Sequence, residues 1–201
     1  MTPRFNLAAV ILAAGKSTRM GRPKLLLPWK NTTVLGHLID LWSQLPKKQI
    51  AVICASDDDA LAAELDRLQF PREQCIMNPH PERGMFSSVR CAAQWPNWQT
   101  SITHWAVCLG DQPGIHSSTL DSISSFAAQN PENICQPARL GHGRHPVILP
   151  RIDFEALAKS DAQTLRDFLQ DRAAAIKSLE LSDPGLDFDL DYPTDYEAAK
   201  S

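Results

Sequence analysis

The sequence predicts an α/β fold in which a mostly parallel sheet is covered by helices on both faces. Short, continuous apolar runs at residues 8–12, 50–54, 105–109 and 146–149 have the length and composition of buried strands. Between them lie longer stretches with apolar residues at helical spacing, at 34–45, 58–68, 117–129 and 162–175. Strand and helix alternating in this way put helices on both faces of a parallel sheet. Ligands of such sheets sit outside the carboxyl ends of the strands. The polar residues that carry chemistry here directly follow the strands.

Taken in chain order, the run at 8–12 opens into a loop rich in glycine and basic residues, and Pro28 closes it. The helix at 34–45 ends before Pro46, and Pro71 and Pro113 mark the later loops. Ser160 with Gln163 fits a capping box that would open the helix at 162–175. No repeat, linker or low-complexity tract interrupts the pattern. One domain spanning residues 1–201 is expected.

Composition narrows the function classes. A chain of 201 residues with 43% hydrophobic content closes one substantial core. The net charge of -3 supplies no basic field for a nucleic-acid backbone, so a small-molecule partner is expected and no nucleic acid. Cys54, Cys75, Cys91, Cys108 and Cys135 are odd in number and form no Cys-x-x-Cys pair. They read as reduced, mostly buried side chains of a cytoplasmic protein, which argues against a zinc or disulfide framework. The apolar stretch 7–14 follows Arg4 as a signal peptide would, but it is at the short end for one and runs into a structured loop. No run approaches the ~20 apolar residues of a membrane span.

The first loop reads Leu12-Ala13-Ala14-Gly15-Lys16-Ser17-Thr18-Arg19-Met20-Gly21-Arg22-Pro23-Lys24. Small residues at Ala13, Ala14 and Gly15 let a ligand approach the backbone. Ser17, Thr18, Arg19 and Lys24 can meet phosphate oxygens, Arg19 gripping two at once and Lys24 acting as a point charge. The Gly15-Lys16-Ser17 string is not a P-loop, because the glycine that motif needs five residues earlier is Val10. A G-x-G-x-x-G dinucleotide fingerprint is also absent.

The run from Leu12 to Pro28, LAAGKSTRMGRPKLLLP, resembles the signature loop of the MobA-like nucleotidyltransferases, and within them the molybdenum cofactor cytidylyltransferase (MocA-like) group. Four further segments agree. Asn78-Pro79 through Gly84-Met85-Phe86-Ser87-Ser88 resembles the family segment that lies beside the nucleotide base and opens a helix. Leu109-Gly110-Asp111-Gln112-Pro113 resembles the strand end that carries the magnesium carboxylate. Asp187-Phe188-Asp189-Leu190-Asp191 resembles a C-terminal carboxylate motif, although Tyr192 and Thr194 stand where relatives commonly have Thr and Glu. Gly141-His142-Gly143-Arg144-His145-Pro146 matches the acceptor-side segment; the His142-x-x-His145 spacing lacks the further ligand that a metal site needs.

The resemblance, which runs from Ala9 to Tyr196, implies the three-layer Rossmann-like fold of nucleotide-diphospho-sugar transferases. It also implies roles. Asp111 with Asp191, or alternatively Asp189, would hold Mg²⁺; Arg19 and Lys24 would neutralise a triphosphate; Leu12, Ala13, Ala14, Gly15, Asn78, Ser87 and Ser88 would hold the nucleotide. Gly143, His145 and Arg166 would face the acceptor. Arg166 stands one residue later than the pattern of molybdopterin-using relatives puts it, and the Gly-Ala part of that pattern is missing. The implied activity is Mg²⁺-dependent transfer of CMP from CTP to a phosphorylated acceptor, molybdopterin or the molybdenum cofactor, with a molybdoenzyme or its maturation apparatus as partner. The alternatives are a guanylyl or sugar-phosphate nucleotidyltransferase of the same fold and a noncatalytic nucleotide-binding or cofactor-chaperone protein, which would be expected to have lost a carboxylate or a cation.

Overall fold

The computed structural model describes residues 5–46 and 49–199; Arg4, before the first apolar run, lies outside them. The apolar run forms β1 (Leu7–Leu12), buried throughout. A loop with two 3-10 turns leads to a two-stranded hairpin, β2 (Pro28–Trp29) and β3 (Thr32–Thr33), and to α1 (Val34–Ser43), where the Thr33 hydroxyl caps the Gly36 amide. There follow β4 (Gln49–Ala55), α2 (Asp59–Arg67), β5 (Cys75–Asn78), α3 (Met85–Gln94), β6 (His104–Leu109) and α4 (Ser117–Gln129). The chain then forms β7 (Ile134–Arg139), β8 (His142–Gly143), β9 (Val147–Pro150), α5 (Arg151–Leu157), α6 (Leu165–Gln170), β10 (Ile176–Glu180) and α7 (Pro193–Ala198).

The main sheet has the order β10-β7-β9-β6-β1-β4-β5, with β8 paired to β7. The pairs β5–β4, β4–β1, β1–β6 and β7–β10 are parallel. β9 is inserted antiparallel between β6 and β7. A mostly parallel sheet between two helical layers is therefore the architecture, and the fold class read from the pattern holds. Alternate residues of β1 feed opposite cores: Leu7, Ala9 and Ile11 pack with α1 and α4, whereas Ala8, Val10 and Leu12 pack with Phe86, Val89 and Phe154 from the other layer. On that second face Trp105 and Phe154 stack with ring centroids 4.4 Å apart.

Three elements differ from expectation. The capping box is Thr164 with Asp167, not Ser160 with Gln163. The Ser160 hydroxyl instead accepts the Ala162 amide in a local turn, so helix begins only at Leu165, and it gives way to a separate 3-10 turn at Ala173–Ala175. The 34–45 helix stops at Ser43, and the strand expected at 146–149 is shifted by one residue to Val147–Pro150. Among the described residues no helix is long and apolar enough to cross a membrane. All five cysteines are free, and Cys54, Cys108 and Cys135 are buried.

Candidate active site

The carboxyl ends of β1, β4, β5 and β6 lie along one edge of the sheet because those strands run parallel. The first loop leaves β1 there. Ser17 and Gly21 adopt left-handed backbone conformations that flank a 3-10 turn at Thr18–Met20, and the Ser17 hydroxyl accepts the Lys24 amide at 3.2 Å. This folds the loop back so that Lys24 returns to the edge it left. The Lys24 ammonium lies 2.5 Å from Asp111 Oδ2 and 3.6 Å from Asp191 Oδ1. Arg19 Nη2 donates to the same Asp191 oxygen at 2.9 Å, and its guanidinium lies over the Tyr192 ring at 5.6 Å.

Three distant segments thus converge on one charged cluster. Backbone contacts fix their spacing: Gly110 donates to the Leu12 carbonyl at 3.0 Å, and Leu190 donates to the Asp111 carbonyl at 2.9 Å. A Cβ on Gly110 would come within 2.4 Å of the Leu12 carbonyl oxygen, so this position requires glycine for close approach. Gly110→Ala is expected to lower stability by roughly 1–3 kcal/mol through overpacking against rigid backbone, read as a lowered Tm together with impaired ligand binding.

The two C-terminal candidates are separated by their surroundings. Asp191 faces the cations Arg19 and Lys24. Asp189 accepts from the Gln112 side chain at 2.7 Å. Burial holds the Asp189 carboxyl above its ordinary value; the Gln112 bond opposes this, and the charges of Asp111 and Asp191 add to the upward push. Among the described residues no group of three or more His, Cys, Asp or Glu closes a metal cage. A small hard cation that is shared with phosphates commonly needs only one or two carboxylates and keeps several waters. The oxygen donors Asp111, Asp191 and Asp189 fit that requirement, with Lys24 as the present neutralising charge.

Beside this cluster lies a cleft of about 260 Å³ bordered by Leu12, Ala14, Gly15, Lys24, Ser88 and Asp111, among others. A second cleft of about 280 Å³, on the β4 side of the same loop, includes Ala13, Ala14, Gly15 and Asp57. Gly84, with φ 84°, starts α3 from a conformation that favours glycine. Asn78 is only 1% exposed. Its amide donates to Ser87 Oγ at 2.8 Å and Ser88 Oγ at 3.0 Å, while its carbonyl accepts the His80 amide at 2.9 Å. Asn78 therefore shapes the start of α3 from within, Ser88 borders the cleft, and Ser87 is half-buried.

On the other side, His145 Nδ1 contacts the Val107 carbonyl at 3.0 Å. Burial pushes the imidazole below its ordinary pKa, and the Val107 carbonyl and Asp111 partly oppose that. Gly143 sits exposed in β8, where a Cβ would collide with the Gln136 side chain. Arg166 is exposed on α6, whose Leu165 and Phe168 are buried with Phe86 and Val89 of α3. Sequence reading passed over Asp183: burial pushes its carboxyl up, yet Thr119 and the His116 and Gly185 amides outweigh this and hold it below its usual value. Its partners lie more than 60 residues away or within a turn, a pattern no local motif displays.

Comparison with known proteins agrees with this fold. The chain is 26% identical over 192 residues to the molybdenum cofactor cytidylyltransferase of Escherichia coli K12, covering 95% of this chain and 94% of that one. The crystal structure of Rv0371c from Mycobacterium tuberculosis H37Rv shares the fold with a TM-score of 0.77 at 24% identity, covering 98% of this chain and 100% of that one. A structure of Rv0371C in complex with manganese superposes with a TM-score of 0.68 at 23% identity, covering 96% and 97% of the two chains. Residues 9–177 match the model of the MobA-like NTP transferase domain, and with the strand-end carboxylate, the basic loop and the sheet order all in place, this chain belongs to that nucleotidyltransferase family.

Proposed function

We propose that this protein transfers CMP from CTP to a phosphorylated acceptor, with molybdopterin or the molybdenum cofactor as the favoured acceptor, and releases pyrophosphate. The observation that carries this reading is the meeting of Lys24, Asp111 and Asp191 beside a cleft walled by the Leu12–Gly15 backbone. In the reaction an acceptor phosphate oxygen attacks the α-phosphorus in line, a P–O bond forms, and the bond to pyrophosphate breaks. The acceptor supplies the nucleophile, so the protein contributes position and charge.

Arg19 and Lys24 grip triphosphate oxygens and stabilise charge growing toward the leaving pyrophosphate. Ala13, Ala14 and Gly15 present a close backbone to the nucleotide; Asn78 orients Ser87 and Ser88 at its base end. Asp111 and Asp191 are the carboxylates that would hold Mg²⁺, with Asp189 held next to them by Gln112; bound Mg²⁺ supplies neutralising positive charge. His145, Gly143 and Arg166 are the proposed acceptor side. The test is pyrophosphate release by purified protein with Mg²⁺, each nucleoside triphosphate and candidate acceptors, sugar 1-phosphates included. Release only with a sugar 1-phosphate, or binding without release, would replace this reading by one of its rivals.

CTP is expected to be preferred over GTP. Ala14 borders both clefts, and its methyl narrows the space that a purine would occupy beside the backbone. One methyl is worth only ~1–3 kcal/mol, so Ala14→Gly should relax the preference without reversing it. The check is kcat/KM for the four nucleotides with one acceptor in both proteins; a wild-type preference for GTP overturns the assignment of the base.

A further inference from the structure

We infer that Arg139 and Arg144 form a second anion site, one that receives an oxyanionic group of the acceptor remote from its reacting phosphate. This rests on the transferase reading and extends it. Arg139 ends β7 and Arg144 follows β8, and the Arg144 amide is fixed on the Pro137 carbonyl at 2.8 Å. Both side chains are half-buried, with exposures of 27% and 29%, and both guanidiniums converge on one carboxylate, Asp187, at the surface. Arg139 Nη1 reaches Oδ2 and Arg144 Nε reaches Oδ1. Arg144 Nη1 also donates to the Gly143 carbonyl at 3.1 Å.

Two cations thus share one acid, which leaves an excess positive charge, and these bonds use few of the donors on the two planar forks. Guanidinium forks held in this way match phosphate and carboxylate oxygens bidentately. Place decides whose oxygens they are. β9 runs antiparallel to both β6 and β7, so the end of β7 carrying Arg139 lies on the same sheet edge as Asp111. Two strand spacings, roughly 10 Å, separate β7 from β6. His145, the residue after Arg144, contacts the Val107 carbonyl of β6 and so bridges the two positions. An acceptor whose reacting phosphate lies by Asp111 and whose far end carries an oxyanion spans this distance. Asp187 occupies the forks as an internal carboxylate stand-in.

The rival reading is that the triad only clamps the 3-10 turn Pro184–Asp187 to the sheet. The two are separated by titrating the full-length protein with inorganic phosphate, without nucleotide or metal, while following the Arg Nε–Hε resonances by NMR. The signals of Arg139 and Arg144 should shift saturably in the wild type. Asp187→Asn should tighten the phosphate dissociation constant about tenfold by removing the competing charge, and Arg144→Gln should abolish the response at Arg139. Static signals in both the wild type and Asp187→Asn, or an unchanged Arg139 response in Arg144→Gln, would overturn the site. If Asp187→Asn does not fold, the comparison of wild type with Arg144→Gln decides alone. Pyrophosphate release is scored separately: phosphate binding at these arginines without any transferase activity would remove the parent reading and leave an anion site.

Discussion

Asp111→Asn is expected to abolish nucleotidyl transfer at ordinary Mg²⁺ concentrations while leaving the fold intact. The backbone of Asp111 is held independently of its side chain: Gly110 is pinned to Leu12 and the Asp111 carbonyl accepts the Leu190 amide. Asparagine is nearly isosteric, so those contacts persist. What disappears is a carboxylate charge at the point where Lys24 and the C-terminal acids converge. Losing a charge that anchors a catalytic cation costs several kcal/mol in the transition state, or at least about a thousandfold in kcat. Circular dichroism should superpose on the wild type, and activity should recover little even at raised Mg²⁺. Near-wild-type turnover with unchanged metal dependence would take Asp111 out of the mechanism.

The next largest effect is expected in the first loop, where Lys24→Ala and Arg19→Ala should each lower kcat/KM by at least about a hundredfold, or ~2.7 kcal/mol. The two differ in setting. Lys24 is held between two carboxylates with its side chain 14% exposed, whereas the Arg19 side chain is 58% exposed and rests on Asp191 and Tyr192. Removing either should move Tm little, because neither side chain belongs to the two cores. Full activity regained by both variants once the fold is stabilised by other means would make the loop structural and not catalytic.

Much of this arrangement was legible in the residues because it rests on contiguous signals. β1, β4 and β6 are unbroken apolar runs, and the loop chemistry follows β1 directly. The strands that went unread lack that signal: β5 is four residues long with Met77 exposed, β7 contains Pro137, and β10 is an edge strand with most of its residues partly or fully exposed. α5 starts at Arg151 with no turn after β9, so Pro150 alone marks the boundary between them. Of the charged cluster, Lys24, Asp111 and Asp191 each stand out in the sequence, but their pairings do not. Asp189 and Asp191 are equivalent in a sequence, and only the fold turns one toward Gln112 and the other toward Arg19 and Lys24. The Arg139–Asp187–Arg144 triad joins residues more than 40 positions apart, and no spacing rule foresees it.

The alternation of β1 between two cores sets a limit on how this family member can vary in length. A residue inserted anywhere from Leu7 to Leu12 would rotate every following side chain of the strand to the opposite face, exchanging the Ile11 and Leu12 environments and breaking the register in which the Leu12 carbonyl accepts the Gly110 amide. The number of residues between the start of β1 and the first loop therefore acts as a ruler for the site. In an insertion-scanning library, the stretch from Leu7 to Leu12 should return no insertion that folds.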